Sequence, residues 1–166
     1  MSLEICFSPW VEWANRNSLP DKRMPVVYLI ARFEQGPSPG SADPLEKNIV
    51  YIGQSSAGRF QGRCRAFENA AFRNKGKNRA GKRYRQLFDG NSSPLYVSVL
   101  SGKGLVKAFL GLEVCPLLDI NGSSAKVDIT DKLLGEIDDL LIKYMERRLI
   151  LLYSLAHGYR PVCNVD

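Results

Sequence analysis

Residues 47–54 read Lys47-Asn48-Ile49-Val50-Tyr51-Ile52-Gly53-Gln54, and upstream stands a similar run, Val26-Val27-Tyr28-Leu29-Ile30. Each is short, rich in β-branched and aromatic residues, and carries a tyrosine near its middle, which predicts two strands. The segment from Gln35 to Pro44 that separates them is rich in Gly, Pro and Ser. It predicts a hairpin with a long loop. Because both runs are almost continuously apolar, the expectation is that both lie centrally in a small sheet covered on its two faces.

Working outward, residues 59–73 and about 79–88 predict two helices, separated by the breaker Asn74-Lys75-Gly76-Lys77-Asn78. Leu95 to Leu100, with turn formers on both sides, is a third strand. Val106 to Leu118 fit helix or strand, and Asp119 to Ala125 read as a loop. From Thr130, read as an N-cap with Asp131 and Glu136 near the positive end, a long helix runs to about His157-Gly158. Its apolar positions are Leu133, Ile137, Leu140, Leu141, Tyr144 and Met145. Upstream of the sheet, Ser8-Pro9-Trp10 resembles a capped helix start, with Trp10 and Trp13 sharing a face that anchors an N-terminal arm on the core. The expected organisation is one α+β domain built on a three-stranded antiparallel sheet flanked by helices. It comprises a helical arm, 1–25, packed on a unit spanning 26–166.

A chain of 166 residues, 45 % hydrophobic, suffices for one ordinary core. No window holds eighteen uninterrupted apolar residues, and Met1-Ser2-Leu3-Glu4 lacks the features of a secretory signal. The expectation is an intracellular, cytoplasmic protein without a membrane partner. Cys6, Cys64, Cys115 and Cys163 are scattered, with His157 the one imidazole, so no zinc or haem-attachment spacing exists. They read as reduced thiols, mostly buried.

The formal net charge is +6, but its distribution is uneven. Between Arg59 and Arg85 lie ten basic residues and one acid, Glu68, a local +9 that leaves −3 for everything else. Phe60, Phe67, Phe72 and Tyr84 interleave with the cations, so this segment can pack while its charges face outward. Such a surface suits a phosphodiester backbone, and Arg59, Arg65, Arg73, Lys75, Lys77, Arg79, Lys82, Arg83 and Arg85 are the candidate nucleic-acid contacts.

The order of Tyr28, Tyr51-Ile52-Gly53, Arg63, then Glu146 on a helix and Asn164 near the end resembles the GIY-YIG nuclease family across residues 26–166. The resemblance implies a three-stranded sheet flanked by helices and a metal-dependent endonuclease acting on DNA, perhaps of the type II restriction kind, working as a monomer or homodimer. It implies Tyr28, Tyr51, Arg63, Glu146 and Asn164 as the catalytic set, with Glu146 holding Mg²⁺ or Mn²⁺ and Tyr51 as the base. A single carboxylate here fits one ion rather than two. Phosphodiester hydrolysis needs an activated water, charge neutralisation at phosphorus and help for the leaving alkoxide. Paired phenols can orient or deprotonate water if nearby cations lower their pKa from about 10. A guanidinium at Arg63 can grip two phosphate oxygens, with Arg59 and Arg65 the alternatives if the register shifts. Asn164 either bonds near the site or ties down the tail. Phe67 stands where many relatives of that family carry a proton-exchanging histidine or tyrosine, which leaves Lys75, Lys77, Lys82 or His157 as substitutes. The other classes of function that this pattern allows are a nucleic-acid-binding module that keeps the fold and has lost the chemistry, and a protein-interaction domain that happens to be basic.

Overall fold

The computed structural model describes residues 6–92, 94–102 and 125–164. Its elements are β1 (Val11–Glu12), a 3₁₀ helix (Trp13–Ser18), β2 (Val26–Arg32), β3 (Ile49–Ser55), α1 (Phe60–Ala71), α2 (Arg79–Phe88), β4 (Leu95–Ser101) and α3 (Ala125–His157). The strands form one antiparallel sheet in the order β1-β4-β2-β3. The α+β class and the hairpin β2–β3 match the sequence reading.

Alternation along β2 sorts the core into two layers. Val26, Tyr28 and Ile30 face α1 and α2, where Phe60, Cys64, Phe67 and Tyr84 are buried. Val27, Leu29 and Ala31 face α3, whose buried seam is Ile142, Met145, Leu149 and Tyr153. That seam repeats every three or four residues, so one face of α3 closes the sheet, each large side chain contributing about 1.5–3 kcal/mol. Leu140 and Tyr144, expected on the same face, are exposed. They fall on the opposite side of the turn from Ile142 and Met145. Thr130 lies inside α3 rather than at its cap, since the helix begins at Ala125. The stretches 106–118 and 119–124 lie outside the described residues, while Ala125, expected at the end of a loop, opens α3.

Three expectations need correction. The sheet has four strands, because the N-terminal segment adds β1 to the edge of β4 instead of forming a capped helix. Ser8 does not cap: its hydroxyl accepts the Val99 N–H at 3.1 Å, while its own N–H donates to the Val99 carbonyl at 2.9 Å. A helix starting at Ser8 would leave the β4 edge unpaired, and pairing that edge outweighs the local preference of Ser8-Pro9 for a helix start. An extended segment also separates the tryptophans. Trp13 is buried against Phe67 and Phe72, whereas Trp10 packs edge-on against Phe33 in the other layer.

The third correction concerns β3, which is an edge strand and not a central one. It reads as central because its free edge is covered by parts of the chain that are not strands. The Val50 carbonyl accepts the Cys163 N–H at 2.8 Å. Asn164 receives the Ile52 N–H on its Oδ1 at 2.8 Å and donates Nδ2 to the Ile52 carbonyl at 2.7 Å. The Gln54 N–H faces the Glu146 carboxylate. These contacts occupy the Val50 carbonyl, both backbone groups of Ile52 and the Gln54 N–H along the outer edge of β3.

Candidate functional site

The edge of β3 is also where the predicted site residues meet. Tyr28 on β2 lies directly across the ladder from Gly53 on β3. Gly53 sits inside β3 rather than at its end, and its missing side chain makes room for the phenols. A Cβ there would stand 2.5 Å from Tyr51 Cε1, 2.7 Å from Tyr28 Cζ and 2.8 Å from the Tyr28 hydroxyl. A shift in register between Ile30 and Ala31, where Tyr51 is followed in pairing by Ile49, bulges Val50 and turns Tyr51 toward the α1 layer. The two tyrosine rings stand 5.9 Å apart, Tyr28 packs edge-on against Phe60, and Tyr51 stacks on Phe67 at 6.3 Å.

Arg63 is exposed on the first turns of α1, one turn beyond Arg59. Its charge is felt by Tyr28, Tyr51 and Glu146 alike. Glu146 comes from α3, on the far side of the sheet, and reaches the group by passing the edge of β3 at Gln54. Burial pushes the Glu146 carboxyl above its ordinary pKa of 4.5, opposed by Arg63, Arg147 and the Gln54 N–H. Two phenols, one guanidinium and one carboxylate thus share one patch at this edge.

The electrostatics of the phenols differ from the sequence expectation. Neither is lowered. Burial raises Tyr28 well above 10, with further upward pushes from Tyr51 and Cys64. Burial also raises Tyr51, followed by the Glu146 carboxylate, while the Tyr28 hydroxyl and Arg63 pull it down less strongly. A neutral phenol orients water as donor or acceptor, but it does not take its proton at neutral pH.

Asn164 belongs to the framework. Both ends of its amide are taken by the Ile52 backbone, so of its two expected roles the structure shows the tie that fixes the tail along β3. Phe67 is buried in the aromatic core between Trp13, Tyr51, Phe72 and Tyr84. Among the proposed substitutes for it, His157 is remote: its Nε2 lies 2.7 Å from the Leu45 carbonyl and its ring packs on Tyr153 and Tyr159. Lys75, Lys77 and Lys82 are exposed in the α1–α2 turn and on α2.

The cations of the α1–α2 hairpin divide into two groups. Arg73 pairs with Glu68 at 2.7 Å, and the same carboxylate takes Arg16 at 2.5 Å. Arg85 is half-buried, with Nη1 at 3.4 and 3.3 Å from the Ala71 and Phe72 carbonyls, so it closes the C-terminal end of α1. The sequence reading places Arg85 among the nucleic-acid contacts; its guanidinium is here turned onto the end of α1. The outward set is Arg59, Arg65, Lys75, Lys77, Arg79, Lys82 and Arg83, all exposed. On α2, which Asn78 caps by accepting the Gly81 N–H at 2.7 Å, positions 79, 82 and 83 fall on one face. Among the described residues none of these seven has an acidic partner within ion-pair distance.

Among the described residues no three His, Cys, Asp or Glu side chains gather as a ready cage for a metal. The Glu146 carboxylate by itself fits a hard cation that keeps most of its waters and takes its remaining ligands from a substrate phosphate. It does not fit a closed structural site. Burial pushes the Cys64 and Cys163 thiols up to about 12, so they are inert packing groups as expected. Cys6 is exposed, and Cys115 lies outside the described residues. Among the described residues no helix is long and apolar enough to cross a membrane. Sequence reasoning missed Gln54, whose backbone meets Glu146, and the depth of Gly53; neither has a side-chain signal. In comparisons with known proteins, no family model, curated protein or solved structure matches this chain.

Proposed function

We propose that the protein is a metal-dependent endonuclease that hydrolyses DNA phosphodiester bonds, with a GIY-YIG-like arrangement of residues. The observation that carries this reading is the meeting of Tyr28, Tyr51, Arg63 and Glu146 at one sheet edge, although their carriers pack on opposite faces of the sheet. The neighbouring cationic face of α1 and α2 supports a polyanionic substrate. Arg63 grips the scissile phosphate, where its planar fork meets two oxygens as negative charge grows. Glu146 would hold one Mg²⁺ or Mn²⁺, which would supply Lewis-acid help to the phosphate and an activated water. A cation beside Glu146 would offset that carboxylate's upward push on Tyr51, but burial still favours the neutral phenol, so Tyr51 orients the attacking water and would act as its base only after giving its own proton to solvent. Tyr28, the more deeply buried, holds Tyr51 in place. Attack is on a duplex held by the α1–α2 face, by a monomer or by a homodimer on a palindromic site of the restriction type.

A second reading is a DNA-binding module with the same fold and no chemistry. It is favoured by Phe67, which exchanges no proton, and by the raised phenol pKa values. Incubating supercoiled plasmid with the protein in Mg²⁺, in Mn²⁺ and in EDTA separates the two. Nicking that requires the cation supports the endonuclease. Salt-sensitive binding without nicking in either metal supports the module, and no binding at low salt removes both.

A further inference from the structure

The cleft beside Arg63 contains a glycine that the fold does not explain. Every other glycine whose surroundings the structure describes has a reason to lack a side chain. It has either a positive φ or a neighbour within 3.1 Å of where a Cβ would stand. Gly62 has neither: it lies on the exposed side of α1, with nothing within 4 Å of its missing Cβ. Glycine is the poorest residue for a helix other than proline, so this position costs stability and returns no packing.

A second unfavourable choice sits next to it. Arg59 and Arg63 are one turn apart, where like charges repel, and among the described residues neither has an acid within ion-pair distance. Together with Ser56 and Gly58 from the β3–α1 connection, these residues line an open cleft of about 400 Å³. Two guanidiniums flank a stretch of bare backbone. An anionic strand lying across α1 removes the repulsion and uses the space that any side chain at residue 62 would fill.

We infer that this cleft seats the sugar-phosphate backbone of the substrate strand beside the scissile bond, with Arg59 gripping the adjacent phosphate and Gly62 kept bare for close approach. This rests on the DNA-cleaving reading and adds a contact that the catalytic group does not include. The strand leaves the phosphorus held by Arg63 and passes over Gly62 toward Arg59. Folding stability and substrate binding then make opposite demands on residue 62.

The test is a set of variants measured for melting temperature and for binding of a fluorescently labelled duplex by anisotropy in EDTA. Gly62→Ala and Gly62→Leu are expected to melt about 2–4 °C higher, from helix propensity alone. They are also expected to bind the duplex more weakly, Leu at least tenfold, and Arg59→Gln is expected to lower the salt dependence by about one phosphate contact. Gln61→Leu is the control, since Gln61 points to the flank of α1 where it bonds Asn17 at 3.2 Å, and its binding should match wild type. Gly62→Leu that melts higher and binds as tightly as wild type overturns the inference while leaving the DNA reading intact. Equal losses in Gly62→Leu and Gln61→Leu overturn it too, because the cleft is then not special. Failure of the wild-type protein to bind duplex at low salt overturns the DNA reading itself.

Discussion

Gly53→Ala is the sharpest perturbation of the tyrosine pair, because it adds one methyl group without removing any contact. The new Cβ would stand 2.5 Å from a Tyr51 ring carbon and 2.7 Å from a Tyr28 ring carbon, closer than non-bonded carbons approach. Tyr28 has nowhere to go: it is 4 % exposed and wedged against Phe60. Tyr51, partly exposed and stacked on Phe67, is the ring that must yield, swinging outward or pushing β3 away from β2. Overpacking of this kind costs about 1–3 kcal/mol. For a chain of this size that lowers the melting temperature by about 2–12 °C. Thermal denaturation gives the stability, and near-UV circular dichroism reports the rearranged tyrosines. Plasmid nicking is expected to fall by more than the stability loss explains, since about 1 Å of misplacement at a reacting group costs on the order of a hundredfold. A Gly53→Ala protein with wild-type melting temperature and unchanged tyrosine dichroism would refute the steric argument.

Further outcomes follow from the same geometry. Glu146→Gln should leave stability unchanged or raise it at neutral pH, by relieving a buried charge. The sign is set by a folded pKa raised above 4.5, so the ionised carboxylate costs stability only as pH rises through and above that value. Urea denaturation at pH 4 and pH 8 checks this, and a variant less stable than wild type at pH 8 alone would contradict it. Asn164→Ala should cost about 1–3 kcal/mol by losing both bonds to Ile52 and leaving the β3 edge unpaired. If its stability stays at wild-type level while activity disappears, the framework role assigned to Asn164 is wrong. Lys82→Ala and Arg83→Ala should each reduce the slope of log affinity against log salt by about one with no loss of melting temperature. Arg85→Ala should do the reverse, melting lower with the slope intact, and a reduced slope there would return Arg85 to the DNA surface.

What could be read in advance follows from the kind of signal involved. β2, α1, α2 and β4 announce themselves through local periodicity and turn residues, and their boundaries fall within two residues of the sequence reading. The N-terminal segment misleads because its decisive partner is remote: Ser8 and Pro9 favour a helix start locally, while the open edge of β4 outcompetes it. β3 reads as central because sequence shows apolarity on both faces but not what covers an edge. The cover comes from Cys163, Asn164 and Glu146, over a hundred residues away in some cases. The residues of the candidate site were legible from their order along the chain. Their electrostatics were not, since the direction of a phenol's pKa depends on burial and on which charge lies nearest. Likewise Arg73 and Arg85 look like any other cation until Glu68 and the end of α1 are placed beside them.

Whether Glu146 acts at the same phosphorus as Tyr51 and Arg63 is decided by single-turnover nicking of supercoiled plasmid in Mg²⁺. Wild type is expected to nick, Glu146→Ala and Arg63→Ala each to slow nicking by about a hundredfold or more, and Glu146→Ala still to bind the plasmid. Wild-type protein that binds but never nicks, or Glu146→Ala protein that nicks at the wild-type rate, would contradict that shared action.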